Sequence, residues 1–110
     1  MGRSKYHAVK VKTADGVFDS GREYERWCEL KLLQRAGKIR SLQRQVRYEL
    51  IPKQYIRGKL AERAVLYYAD FVYEQAGQSV VEDVKGVRTP EYIIKRKLML
   101  WVHGIRIREV

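Results

Sequence analysis

The segment Ser79-Val80-Val81-Glu82-Asp83-Val84-Lys85-Gly86 sets a valine run beside two acids and a lysine, between Gly77 and Gly86. Recurring valines bounded by glycines read as a β-strand. Side chains alternate along a strand, so Val81, Asp83 and Lys85 share one face and Val80, Glu82 and Val84 the other. Asp83 and Lys85 are then neighbours, roughly 6.5–7 Å apart along the strand. Upstream, Val65-Leu66-Tyr67-Tyr68-Ala69-Asp70-Phe71-Val72-Tyr73 reads as a second strand. Its lone acid, Asp70, shares a face with Leu66, Tyr68 and Val72. A fold that places an acid among hydrophobes on each of two strands must give both acids partners.

The remaining elements follow from local signals. Asp15-Gly16 marks a turn. Ser20-Gly21-Arg22-Glu23 matches a capping box, predicting a helix from Ser20 as N-cap to about Ala36, with Gly37 as its stop. Residues 45–51 alternate as a strand, with Val46, Tyr48 and Leu50 on one face. The polar, basic segment 52–63 reads as a long hairpin connection with Arg57-Gly58-Lys59 at its tip. Gln75-Ala76-Gly77-Gln78 joins the two acid-bearing strands. Thr89-Pro90-Glu91 starts a second helix, which runs to about His103 and is closed by Gly104. Residues 105–110 alternate as a last strand. The order is helix, three strands, helix, strand.

The 110 residues suffice for one domain, 1–110, with one modest core. Residues 1–12 form a basic arm carrying Arg3, Lys5, Lys10 and Lys12, expected to order on a partner. Lys and Arg number 23 against 13 acids, a net charge of +10, so a polyanion is the default partner and nucleic acid the commonest one. Cys28 is the only cysteine, and His7 and His103 are the only histidines. This excludes a disulfide framework and disfavours a zinc centre. No stretch of roughly 18 apolar residues is present and the N-terminus lacks an apolar signal region, so the expectation is a cytoplasmic protein without membrane contact.

Three carboxylates converge by direction. On the first helix, Glu23 shares a face with Trp27 and Leu30, whereas Glu25 and Glu29 lie toward water. Glu23 can face the sheet, close the capping box, or both. An ionised Asp70 among hydrophobes needs either an arginine or a cation. Two carboxylates roughly 4–5 Å apart repel by about 4 kcal/mol at an effective dielectric of about 20, and a divalent cation reverses the sign. Asp70, Asp83 and Glu23 supply hard oxygens suited to Mg²⁺ or Mn²⁺. Lys85 then either orients the attacking water and balances charge in the transition state, or merely pairs with Asp83. Glu82 points to the other face. On the second helix, Ile93, Ile94, Leu98 and Trp101 form an apolar stripe with Lys97 in its middle and Lys95 and Arg96 at its edges. Lys97 either snorkels to water or grips a phosphate.

Phe18-Asp19-Ser20 with Glu23, Tyr68-Ala69-Asp70-Phe71, Glu82-Asp83-Val84-Lys85-Gly86 and Lys95 with Lys97 together resemble the PD-(D/E)XK nuclease superfamily, and within it a family of small phage- and prophage-encoded proteins. The resemblance spans about residues 5–104. It implies an α/β fold with a restriction-endonuclease-like αβββαβ core, a mixed sheet flanked by helices. It further implies that Glu23, Asp70 and Asp83 bind the metal with the Val84 carbonyl, that Lys85 is catalytic, and that DNA is the substrate. Ala69 stands where the nominal motif has proline.

The expected activity is therefore that of a Mg²⁺-dependent DNA endonuclease, with Mn²⁺ able to substitute and no small-molecule cofactor. Lys5, Lys10, Lys12, Arg57, Lys59, Lys95 and Lys97 would hold the phosphate backbone, which positions without specifying sequence. A chain this small suits a homodimer acting on both strands of a branched phage DNA, as in recombination. Two rival readings are a non-catalytic nucleic-acid-binding module and an interaction subunit of a phage replication or packaging assembly.

Overall fold

The computed structural model describes residues 9–110. Two three-residue strands, β1 (Val11–Thr13) and β2 (Gly16–Phe18), form an antiparallel hairpin ahead of the first helix. Helix α1 (Gly21–Arg35) begins where expected: Ser20 is extended, and its hydroxyl accepts from the Glu23 N–H at 3.1 Å. Its end is closed through Ala36 and by Gly37 at φ 78°.

β3 (Arg40–Ile51) is longer than its alternating half suggested. β4 (Gln54–Ile56) and β5 (Lys59–Glu62) form a separate two-stranded ribbon within the expected hairpin connection, turning at Arg57-Gly58. β6 (Val65–Gln75) and β7 (Gln78–Asp83) carry the two acids. Helix α2 (Pro90–His103) has Thr89 as N-cap, Pro90 at its first position and left-handed Gly104 as its cap. β8 is only Arg108–Glu109, shorter than the run from 105 to 110 had indicated.

The main sheet is mixed, ordered β3-β6-β7-β8, with the first three strands antiparallel and β8 parallel to β7. A parallel neighbour requires a crossover, and α2 supplies it. The two helices cover opposite faces of this α/β unit. Leu30, with Trp27 and Leu33 beside it, packs from α1 on Ile39, Phe71 and Tyr73. Tyr92 and Met99 pack from α2 on Leu50, Tyr67, Ala69, Val81 and Ile107.

The phase of α2 differs from the sequence expectation. Tyr92 and Met99 are buried, whereas Ile94 and Trp101 face outward, the latter 86% exposed. With apolar residues on several sides, the helix takes the rotation that seats Tyr92 between the sheet and Glu109, whose carboxylate accepts its hydroxyl at 2.7 Å. Among the described residues, no helix is long and apolar enough to cross a membrane.

Candidate functional site

The alternation of β6 slips at its acid. Tyr67 and Ala69 belong to the core under α2, but Phe71 and Tyr73, two residues further on, belong to the core under α1. The slip falls between the cross-strand pairs Arg44–Phe71 and Val46–Ala69, where Gln45 takes a positive φ of 50°. A left-handed non-glycine residue inside a strand marks a local irregularity that re-aims side chains. Here it turns Gln45 and Asp70 toward the place where β7 stops.

That place is a cleft of about 730 Å³. Glu23 enters it from the first turn of α1, Asp70 from β6, Asp83 from the last position of β7 and Lys85 from the loop beyond. The structure thus brings together the four residues singled out from the sequence. Val84 also lines the cleft, and its N–H donates to Oδ2 of Asp70 at 2.8 Å. The Gln45 amide spans two acids, 3.3 Å from Oδ1 of Asp70 and 3.4 Å from Oε2 of Glu23. Oδ2 of Asp83 accepts the Tyr67 hydroxyl at 2.7 Å and lies 3.2 Å from Nζ of Lys85. The Lys85 ammonium also sits 3.9 Å over the Tyr92 ring, a cation–π contact that steadies a cation in a partly dry site.

Crowding of like charges sets the electrostatics. Burial, followed by a hydrogen bond with and repulsion from Asp83, pushes the Asp70 carboxyl up to about 9, and the Val84 N–H only partly offsets this. Burial raises Glu23 as well, with Asp19 and then Asp83 adding to it and Arg44 opposing. Asp70 therefore keeps a proton at neutral pH that a free aspartic acid would lose.

These are hard oxygen donors that repel one another, and they fit Mg²⁺ or Mn²⁺ by chemistry. Among the described residues, no three His, Cys, Asp or Glu side chains stand arranged as a ready metal-binding group. Their oxygens are engaged within the protein: Tyr67 and Lys85 meet Oδ2 of Asp83, and Gln45 and the Val84 N–H meet Asp70.

Glu82 faces the other way. Its fully buried carboxylate accepts from Arg26 Nε and Nη2 at 2.9 and 2.7 Å and from the Tyr73 hydroxyl, with Arg108 3.9 Å off. Arg26 follows Glu23 by three positions on α1, so this buried ion pair also fixes the turn that carries Glu23.

The lysines divide. Lys95 lines the cleft, paired with Glu91 at 3.0 Å. Lys97 is exposed and lies in a second concavity with Arg88, Arg96 and Arg106, because α2 is rotated from the expected phase. Lys10 is 3.6 Å from Asp19 at the cleft rim, and Lys12 is exposed on β1. Arg57 and Lys59 sit on the β4–β5 ribbon. Lys5 and the first part of the basic arm lie outside the described residues. Gln45, Tyr67 and Tyr92 are cleft residues that sequence reasoning missed, since only the strand irregularity and the rotation of α2 bring them there.

The family model described as "Protein of unknown function (DUF1064)" matches residues 3–106. The chain belongs to this family. No curated protein and no solved structure matches it. The cleft of this DUF1064 chain is built wholly from residues inside the matched span.

Proposed function

We propose that this DUF1064 chain is a Mg²⁺-dependent endodeoxyribonuclease of the PD-(D/E)XK superfamily. The observation that carries the reading is the meeting of Asp83 and Lys85, at 3.2 Å, with Asp70 and Glu23 in one cleft of a +10 chain. The order α1, β3, β6, β7, α2, β8, with only the last strand parallel, supports the restriction-endonuclease-like core. Mn²⁺ substitutes for Mg²⁺, the active form is a cytoplasmic homodimer, and the setting is a phage or prophage.

Asp70, Asp83 and Glu23, with the Val84 carbonyl, would hold the cation. When bound, the cation supplies an acidified water and offsets charge developing on the phosphate. Lys85 presents its ammonium beside Asp83 and donates to a phosphate oxygen or to the attacking water as negative charge accumulates. Its position over Tyr92 limits the freedom it must lose to do so. Glu23, its pKa raised by burial, accepts a proton more readily than a free glutamate does. Gln45 keeps Glu23 and Asp70 aimed into the cleft, and Lys95 draws the backbone to its rim.

The test is incubation of duplex and branched DNA with Mg²⁺ or Mn²⁺, comparing wild type with Asp83→Ala and Lys85→Ala. Hydrolysis by wild type and its loss in both variants is the expected result. Binding without hydrolysis under any of these conditions would overturn the enzyme reading. It would favour the non-catalytic binding module, which the engaged carboxylate oxygens would suit.

A further inference from the structure

The β4–β5 ribbon is built unlike the rest of the molecule. Every residue from 52 to 63 is exposed, and the ribbon pairs with itself rather than with the main sheet. Arg57 at φ 52° and Gly58 at φ 79° give the turn the two positive φ values of a type I′ hairpin, whose twist matches that of the strands it joins.

Its composition is two-sided. Lys53, Arg57, Lys59 and Arg63 stand against Glu62, so 4 − 1 leaves a net charge of +3 on twelve residues. Among these cations, Tyr55 is 60%, Ile56 65% and Leu60 52% exposed. Tyr55 faces Leu60 across the ribbon, and Ile56 faces Lys59. Contacts to phosphates alone give no reason to hold three large apolar side chains in water at the tip of a charged arm. The faces of unstacked bases do give one, because an apolar wedge or a tyrosine ring covers a base that has lost its neighbour.

The ribbon is also aimed usefully. β7 ends at Asp83 while β6 continues past the cleft, through half-exposed Tyr68, toward Val65 and the ribbon. From Asp70 to Val65 is roughly 17 Å of strand, about five base-pair steps along a duplex. We infer that the β4–β5 ribbon is a branch-reading arm: Tyr55, Ile56 and Leu60 cover bases exposed where a DNA duplex opens, while Lys53, Arg57, Lys59 and Arg63 hold the flanking phosphates. The inference rests on the nucleic-acid reading of the cleft, but it needs neither metal nor hydrolysis.

Fluorescence anisotropy on the full chain in EDTA, with a labelled four-way junction and a linear duplex of equal length, tests it. Wild type should bind the junction about tenfold or more tighter than the duplex, the scale expected for covering even one or two bases. Tyr55→Ser/Ile56→Ser/Leu60→Ser should bring the ratio close to one. Replacing residues 53–62 by a short glycine–serine loop should do the same, and thermal melts would confirm that both variants fold. Arg57→Ala/Lys59→Ala should weaken both substrates alike and lower the salt slope by about two. A 2-aminopurine exposed at the branch should dim as it is covered in the wild-type complex and not in that of the triple variant.

A wild-type ratio near one, or a ratio kept by the triple variant and the loop replacement, overturns the arm. So does a loss of self-association in sedimentation with the ratio retained, which assigns the apolar tip to a second copy. Branch binding without cleavage would sink the nuclease reading and leave the arm standing; cleavage without branch preference would do the reverse.

Discussion

Tyr67 donates its hydroxyl to Oδ2 of Asp83 across 2.7 Å, tying β6 to the last residue of β7. The same oxygen lies 3.2 Å from Nζ of Lys85, so one neutral and one charged donor converge on one acceptor. Burial raises the Tyr67 phenol far above its ordinary value, and it remains a donor throughout the working pH range. Tyr67→Phe should cost about 1.5–3 kcal/mol in a urea titration, the range for a hydrogen bond to a charged group. Lys85→Ala should cost less stability but lower single-turnover cleavage by about 10²–10⁴. Equal effects of the two substitutions on cleavage would mean that Lys85 only holds Asp83.

The raised Asp70 carboxyl makes the metal-free protein sensitive to alkali. Its folded pKa of about 9 exceeds the ordinary 3.8, so the folded chain holds a proton that the unfolded chain releases at pH 7. The associated stability is complete below about pH 4 and is lost as pH rises toward 9. Asp70→Asn should flatten that decline in melts between pH 5 and 9. Loading Mn²⁺ at pH 7 should release about one proton, read by calorimetry in two buffers of different ionisation enthalpy. Metal binding without proton release would contradict this account.

Arg26 and Glu82 make a paired, bidentate contact whose carboxylate is wholly enclosed. Arg26→Ala leaves that carboxylate only Arg108, 3.9 Å away, as a cation and should cost about 3 kcal/mol in chemical denaturation. Glu82→Gln should cost less, because Arg26 reaches solvent and keeps Glu29 at 3.0 Å. The reverse ranking would locate the strain elsewhere in the network.

Glu109 fastens α2 to β8. The Tyr92 hydroxyl, then Arg88 and Arg96, hold its carboxyl down at about 2 against an ordinary 4.5. A depressed carboxylate stabilises the fold above its unfolded pKa, so this contribution is intact above pH 4.5 and disappears as pH falls to 2. Glu109→Gln should remove that part of the acid transition, measured as melting temperature against pH. An unchanged acid limb would show that the ion pairs with Arg88 and Arg96 are dispensable.

Much of the fold is written locally. Ser20, Thr89, Pro90 and Gly104 act on backbone groups within one turn, so their helices begin and end as read. The first half of β3 is not legible in this way: Arg40-Ser41-Leu42-Gln43-Arg44 is polar, and Ser41 and Gln45 both take positive φ. The β1–β2 hairpin, with three residues a side, is too short to show a period. For α2, Ile93, Ile94, Leu98 and Trp101 looked like a face, but Tyr92 and Met99 won the core because Tyr92 has partners in Glu109 and Lys85.

The acids of the cleft were readable because a carboxylate inside an apolar strand is anomalous on sight. Gln45 and Tyr67 carry no such mark. Their part depends on the left-handed backbone at Gln45 and on which residues of β6 outlast β7, and both are properties of the assembled sheet.

The outward turn of α2 leaves the chain with two tryptophans in opposite surroundings. Trp27 lies stacked on Phe71 with its indole N–H on Asp15, whereas Trp101 is 86% exposed. The native emission is consequently a sum of two colours, one of which iodide can quench. A Trp101→Phe variant isolates the signal of Trp27, beside the α1 core. In the unaltered chain, a blue shift of the quenchable component on DNA or at high protein concentration would tell directly when something has landed on the outer side of α2.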